Sequence, residues 1–156
     1  MTAATLKQIL CFAKLFCETR WWKRFCKTAN VFKNYAKKKD ILIFDAGCGT
    51  GLVGKELKKF GYDNFHGADL SQTLLDSVPK NLYKKLEKID LNQPFKTKDG
   101  FYDAVMCVGT FTYGHVKPQA LDEFVRITKN KSLICFTINE GIYKDYGFDK
   151  KIEELK

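Results

Sequence analysis

The chain has 156 residues, of which 45% are hydrophobic and 29% charged, a balance typical of a globular domain with its own core. Its net charge of +9 arises in residues 1–39, which hold ten lysines and arginines and one acid, whereas residues 40–156 hold seventeen of each sign. The charge therefore gives no argument that residues 40–156 bind nucleic acid, and no apolar run approaches the ~20 residues of a membrane span.

The six cysteines form no C-x-x-C pair and are accompanied by two histidines, so the sequence predicts no metal site. Cys107 and Cys135 lie in apolar runs, where a free thiol behaves as a small hydrophobic group. This usage indicates a reducing intracellular compartment, which we take to be the cytoplasm, with the nucleus as an alternative.

Residues 1–39 are predicted to form a basic helical segment. Apolar residues recur at helical spacing from Leu6 to Cys17, and aromatic residues then alternate with basic ones over residues 20–27. A membrane-surface helix, an organellar presequence and an RNA contact are three interpretations of this pattern. The simplest interpretation, which we favour, is one or two helices that pack on the following domain with a lysine-rich outer face.

Strand and helix patterns alternate from residue 40 onward. Strands are predicted over residues 41–45, 65–69, 82–90, 102–108 and 132–138, with helices over 52–60 and 72–78 and another opened by Pro118. Such alternation is typical of parallel sheets with right-handed crossovers. Residues 40–156 are therefore predicted to form an α/β domain, a doubly wound and mostly parallel sheet of about five strands with helices on both faces.

The first of these strands runs directly into a glycine turn with glycines at 47, 49 and 51. A strand, a glycine turn and a helix N-terminus together form a cradle for a nucleotide-like ligand. Asp45 at the strand end suits a ligand with a cationic amine better than a pyrophosphate, which indicates S-adenosylmethionine. Residues 49–54 also match G-x-G-x-x-G, so a nicotinamide or flavin dinucleotide is the alternative, in an awkward register relative to Asp45.

Three predicted strands end in an acid, and the carboxyl ends of parallel strands meet at one edge of the sheet. Asp69 follows the glycine turn at the spacing of a ribose-binding acid, and Asp90 with the Leu91 backbone is placed to meet an adenine edge. His115 and Tyr113, after the fourth strand, are the candidate general bases, and either can equally be a packing residue.

The segment Asp45-Ala-Gly-Cys-Gly-Thr-Gly-Leu-Val-Gly54 resembles motif I of the class I S-adenosylmethionine-dependent methyltransferases. Residues 67–71, 90–91 and 102–109 resemble their second, third and fourth motifs, and residues 108–116 are similar to the methyltransferase-like proteins named for the Williams–Beuren syndrome chromosomal region. The resemblance implies a Rossmann-like fold with S-adenosyl-L-methionine bound by Asp45, Gly47, Cys48, Gly49, Gly51, Asp69, Leu70, Asp90, Leu91 and Val108.

In this family the fold continues after the fifth helix with a further helix and an antiparallel strand pair, whereas residues 141–156 leave room for one helix. We therefore expect a domain without the usual C-terminal strand pair. The predicted function is methyl transfer to an unidentified small-molecule or protein acceptor. The alternative is a truncated, catalytically inactive module that binds an anionic membrane or RNA through residues 1–39.

Overall fold

The computed structural model describes residues 8–12 and 22–156, with side chains from residue 25 onward. Within this range six strands form one sheet in the order β1-β6-β5-β2-β3-β4, and every pairing is parallel. The predicted parallel, doubly wound sheet is therefore confirmed. The strands are β1 (Gln8–Phe12), β2 (Ile43–Ala46), β3 (Phe65–Asp69), β4 (Lys85–Lys88), β5 (Tyr102–Phe111) and β6 (Thr128–Ile138).

Helices cover both faces of the sheet and bury a separate apolar cluster on each. Phe32 and Leu57 belong to the cluster under the first three helices, and Phe124 and Phe148 to the cluster under the last three. The predicted N-cap of the third helix is confirmed, since the Ser71 hydroxyl accepts from the Leu74 amide at 3.3 Å. The helices are α1 (Trp22–Tyr35), α2 (Leu52–Lys59), α3 (Gln72–Asp76), α4 (Ala120–Ile127), α5 (Glu140–Tyr143) and α6 (Phe148–Glu154).

Residues 8–12 form a strand, so the prediction of helix for residues 1–39 is wrong for this stretch. The strand lies along the outer side of β6, with Gln8 opposite Leu133. A short apolar run is compatible with the periodicity of either a helix or a strand. The unpaired backbone groups along the outer side of β6 favour the extended conformation of residues 8–12. The rest of that prediction before residue 22 falls on residues 1–7 and 13–21, which lie outside the described residues.

Helix α1 packs directly on the sheet and on α2. Ala29 and Phe32 are fully buried, and the Phe32 ring meets the Tyr62 ring edge-on at a centroid distance of 5.5 Å. The Tyr62 hydroxyl also donates to the Ala36 carbonyl just beyond the helix. Phe25, Ala29 and Phe32 of α1 thus belong to the apolar cluster on one face of the sheet.

The order of the strands places a crevice at the centre of the sheet. The chain passes from β2 to β3 on one side and later returns to β5 on the other side of β2, so loops diverge above the carboxyl end of β2. In open α/β sheets this switch point is where ligands bind. Among the helices described, none is long and apolar enough to cross a membrane.

Candidate functional site

A cleft of about 740 Å³ opens beyond the carboxyl ends of β2, β3 and β5, a size suited to a cofactor. Asp45, Gly51 and Tyr113 do not line it. The structure brings the other predicted residues together around the cleft: Gly47, Cys48, Gly49, Asp69, Leu70, Asp90, Leu91, Val108 and His115. Most of the predicted site is therefore one continuous surface.

The glycine turn is fastened to the end of β3 on one side and to β5 on the other. The Gly47 and Cys48 amides both donate to the Ala68 carbonyl, at 2.8 and 2.9 Å. Gly47 has a φ of +72°, and a β-carbon there would collide with the Thr110 side chain. The backbone of residues 47–49 is consequently held open at the cleft surface, where a ligand can approach it closely.

Asp69 joins the glycine turn to the loop after β3. One of its carboxylate oxygens accepts from the Gly49 amide and the other from the Ser71 amide, both at 2.9 Å. Each oxygen keeps a further lone pair, which suits a pair of neighbouring hydroxyl groups on a ligand. Beside it, Leu70 is 60% exposed and offers an apolar surface to the same ligand.

Asn92 ties the two rims of the cleft together, a role that the sequence did not indicate. Its backbone N–H donates to the Asp90 carboxylate. Its side-chain nitrogen donates to the His115 carbonyl at 3.2 Å, and its side-chain oxygen accepts from the Lys117 backbone amide at 2.8 Å. The loop after β4 is therefore fixed to the loop after β5. The one signal in the sequence is the position of Asn92 directly after the 90–91 motif.

Asp45 lies beneath the glycine turn, because alternate residues of a strand point to opposite faces and Asp45 shares the α2 side with Ile43. Its carboxylate accepts from the Tyr83 hydroxyl at 2.5 Å, and its other oxygen has no hydrogen-bond partner among the described residues. Burial raises the pKa of Asp45 to about 7, outweighing the opposite effect of the Tyr83 hydrogen bond. The carboxylate thus faces Tyr83 and is not among the residues that line the cleft.

Tyr83 supports the glycine turn from below, and sequence reasoning missed it entirely. Its hydroxyl accepts from the Gly54 amide at 3.2 Å while donating to Asp45. A β-carbon at Gly54 would lie 2.7 Å from this hydroxyl oxygen, and one at Gly67 would lie 3.0 Å from the Tyr83 ring. The tyrosine therefore occupies space that these glycines leave open on α2 and β3.

The titration of Asp45 predicts a stability that depends on pH. Because its pKa in the folded protein is raised, the folded state holds this proton to a higher pH than the unfolded chain does. Its contribution to the free energy of unfolding is therefore lost as pH rises from about 4 to about 7. We measure the free energy of unfolding by urea denaturation at about pH 5 and at about pH 8. Over this rise in pH it should fall by about 2 kcal/mol more in the native chain than in Asp45→Asn. Parallel curves for the two proteins would contradict the assignment.

The remaining predicted side chains differ in what they can do chemically. Burial, together with the charges of Asp45 and Asp69, raises the pKa of the Cys48 thiol, so it remains neutral. Tyr113 is exposed and does not line the cleft, and its ring lies 6.3 Å from that of Tyr146, whereas His115 is exposed on the cleft rim. Across the described residues no group of three or more histidine, cysteine, aspartate or glutamate side chains is placed to hold a metal ion.

Comparison with known proteins identifies a domain family over most of the residues that form the cleft. A family model described as "Methyltransferase domain" matches residues 44–136. The chain is 39% identical over 98 residues to human methyltransferase-like protein 27, covering 62% of this chain and 40% of that protein. It is 33% identical over 133 residues to an uncharacterised protein of Methanocaldococcus jannaschii, covering 81% of this chain and 56% of that protein. The chain thus spans 40% to 56% of the length of these two curated relatives.

Solved structures share the fold. The crystal structure of a SAM-dependent methyltransferase from Aquifex aeolicus aligns with a TM-score of 0.63 and 17% identity, covering 82% of this chain and 78% of that one. A TehB-like SAM-dependent methyltransferase from Corynebacterium glutamicum aligns with a TM-score of 0.60 and 21% identity, covering 82% and 71%. At these identities the likeness establishes the fold alone.

Proposed function

Since this chain belongs to the methyltransferase domain family of class I S-adenosylmethionine-dependent methyltransferases, we propose that it binds S-adenosyl-L-methionine in the cleft and transfers the methyl group to an acceptor. The observation that carries this proposal is Asp69, whose two carboxylate oxygens fix the glycine turn and the start of the next loop while facing the cleft. A ribose diol is the ligand group that fits such a carboxylate.

The other described contacts support an orientation for the cofactor in the cleft. The open backbone at residues 47–49 receives the amino-acid end, because no side chain fills this space at Gly49. The adenine ring lies toward Asp90 and Leu91, over the exposed surface of Leu70. Asp45 acts from beneath by fixing the turn through Tyr83, a more indirect role than the direct amine contact expected from the sequence.

The described residues that line the cleft include no lysine or arginine. Its polar and apolar lining includes Phe25, Leu52, Thr112 and His115. A polyanionic substrate would require such cations to neutralise its phosphates. We therefore place a small molecule or a protein side chain as the acceptor ahead of nucleic acid.

When bound, the cofactor would supply a methyl group activated by its sulfonium, so that in-line attack of an acceptor nucleophile on the methyl carbon would break the carbon–sulfur bond and leave S-adenosylhomocysteine. The residues of this chain hold the two reactants in that line, and positioning of this kind supplies much of the rate. Walls at Val108 and Thr110 shape the mouth through which the acceptor reaches the methyl group. His115 lines this cleft and is the candidate general base for the acceptor.

Calorimetric titration with S-adenosylhomocysteine tests the proposal, with NAD as the matched control for a dinucleotide. We expect a dissociation constant on the order of micromolar for S-adenosylhomocysteine and no measurable binding of NAD. Methyl transfer is then measured with radiolabelled S-adenosylmethionine in lysate fractions, separately for small molecules and proteins. Binding of NAD in place of S-adenosylhomocysteine would overturn the proposal.

A binding function through residues 1–39 is the competing proposal, and it makes a different prediction. Contact between this basic segment and RNA or anionic vesicles should weaken steeply with salt and disappear when its exposed lysines Lys27, Lys37 and Lys38 are replaced by glutamine. Binding of S-adenosylhomocysteine without transfer to any acceptor, combined with such salt-sensitive binding, would favour it over methyl transfer.

A further inference from the structure

A second cleft of about 530 Å³ lies on the other side of the Ile89–Asp90 segment from the cofactor cleft. Its floor is aromatic, formed by His66, Phe101 and Tyr102. Its rim is basic and carries four lysines, Lys85, Lys88, Lys96 and Lys98, against two carboxylates, Glu87 and Asp90. Nothing in the proposed methyl transfer uses this surface.

The cleft exists because of how the chain crosses from β4 to β5. Residues 89–101 are all described and contain turns but no helix, so no helix in this crossover covers the sheet beside β3 and β4. His66 remains half-buried there, with its Nδ1 atom 3.1 Å from the Tyr102 hydroxyl oxygen. The Phe101 ring stands edge-on to the Tyr102 ring at a centroid distance of 4.9 Å. Flat aromatic surface is thereby fixed at the base of an open cleft.

The lysines differ in how far they are neutralised. Lys85 pairs with Glu87 at 2.9 Å, and the Lys98 ammonium lies 5.5 Å from the centre of the Phe101 ring. Lys88 and Lys96 are both exposed and form no ion pair with any described carboxylate. Two uncompensated ammonium groups on one rim attract an anion with more than one negative charge.

We propose that this cleft binds a nucleoside polyphosphate, with the phosphates on Lys88 and Lys96 and the base against Phe101 and His66. The aromatic floor and the basic rim each match one half of such a ligand, and the volume accommodates one small molecule. Stacking on Phe101 adds to the charge attraction, which distinguishes this ligand from a simple polyphosphate. The site is separate from the cofactor cleft, and it stands whether or not the chain transfers methyl groups.

The test uses ATP as the probe and calorimetry on the full chain, with the cofactor cleft first saturated with S-adenosylhomocysteine. We expect ATP to bind more tightly than either tripolyphosphate or adenosine, with an affinity that falls as salt is raised. The variant Lys88→Gln/Lys96→Gln should weaken ATP binding by at least about tenfold. The matched control is Lys55→Gln/Lys58→Gln, which removes two exposed lysines of α2 that line neither cleft and should leave ATP binding unchanged.

Failure of this proposal is separable from failure of the methyltransferase proposal. The affinity for S-adenosylhomocysteine, measured on the same variants without ATP, reports on the cofactor cleft and on the fold. Absence of saturable ATP binding overturns the inference, as does equal binding to the native chain and Lys88→Gln/Lys96→Gln. Equal affinity for ATP and tripolyphosphate overturns the role of the aromatic floor.

Discussion

Replacing Asp69 with alanine should weaken S-adenosylhomocysteine binding by at least about 100-fold. The change removes the acceptors for two ribose hydroxyls, and hydrogen bonds to a charged group contribute about 1.5–3 kcal/mol each. It also releases the Gly49 and Ser71 amides, so the glycine turn loses its link to the loop after β3. Calorimetric titration of the native and variant chains measures the effect. Asp69→Asn keeps one acceptor oxygen, so its affinity for S-adenosylhomocysteine should lie between those of the native chain and of Asp69→Ala.

The matched control is Asp63→Ala, which removes an exposed carboxylate just before β3 that lines neither cleft. It should bind S-adenosylhomocysteine like the native chain. Far-UV circular dichroism and the urea midpoint of Asp69→Ala separate loss of the ligand contact from loss of the fold. Native-like affinity in a folded Asp69→Ala protein would remove Asp69 from the cofactor site.

Tyr83→Phe is expected to lower the free energy of unfolding by about 3 kcal/mol at about pH 8. The phenyl ring still fills the space beside Gly54 and Gly67, so the loss comes from the hydroxyl alone. Without the hydroxyl, neither carboxylate oxygen of Asp45 has a hydrogen-bond partner among the described residues. The Gly54 amide also loses its acceptor. Urea denaturation measures the change.

A double-mutant cycle identifies the buried charge as the cause. In the Asp45→Asn background the Tyr83→Phe change should lower stability by about 1 kcal/mol, because no carboxylate is then left without a hydrogen bond. Tyr35→Phe is the control, since Tyr35 is 49% exposed. An equal effect of Tyr83→Phe in both backgrounds would show that the hydroxyl does not act through Asp45.

The strand-end acids could be predicted from the sequence because parallel strands bring their carboxyl ends to one edge. Asp69 and Asp90 meet the glycine turn around one cleft for that reason. The orientation of Asp45 could not be predicted with the same reasoning. Its position at the strand end was clear, but the side chain turns toward α2, where it meets a tyrosine distant in the sequence.

Tyr83 and residues 8–12 show two further limits of local patterns. Tyr83 lies in an irregular segment just before the exposed edge strand β4. Its importance arises from tertiary contacts with Gly54 of α2 and Gly67 of β3, which are distant from it in the sequence. Residues 8–12 have apolar spacing compatible with a helix, but the open edge of β6 decides their conformation. In both cases a tertiary contact outweighs the local preference.

The pairing of β1 with β6 also constrains the order in which the protein can fold. In the parallel pairing of β1 with β6, Gln8 lies opposite Leu133. Most of the chain therefore lies between the two strands in the sequence. Closing so long a loop is entropically unfavourable until the intervening sheet has assembled. During synthesis, β1 emerges from the ribosome long before its partner and remains without one until β6 has appeared. The outer edge of the sheet is therefore the last part to form, and it is the natural place for unfolding to begin.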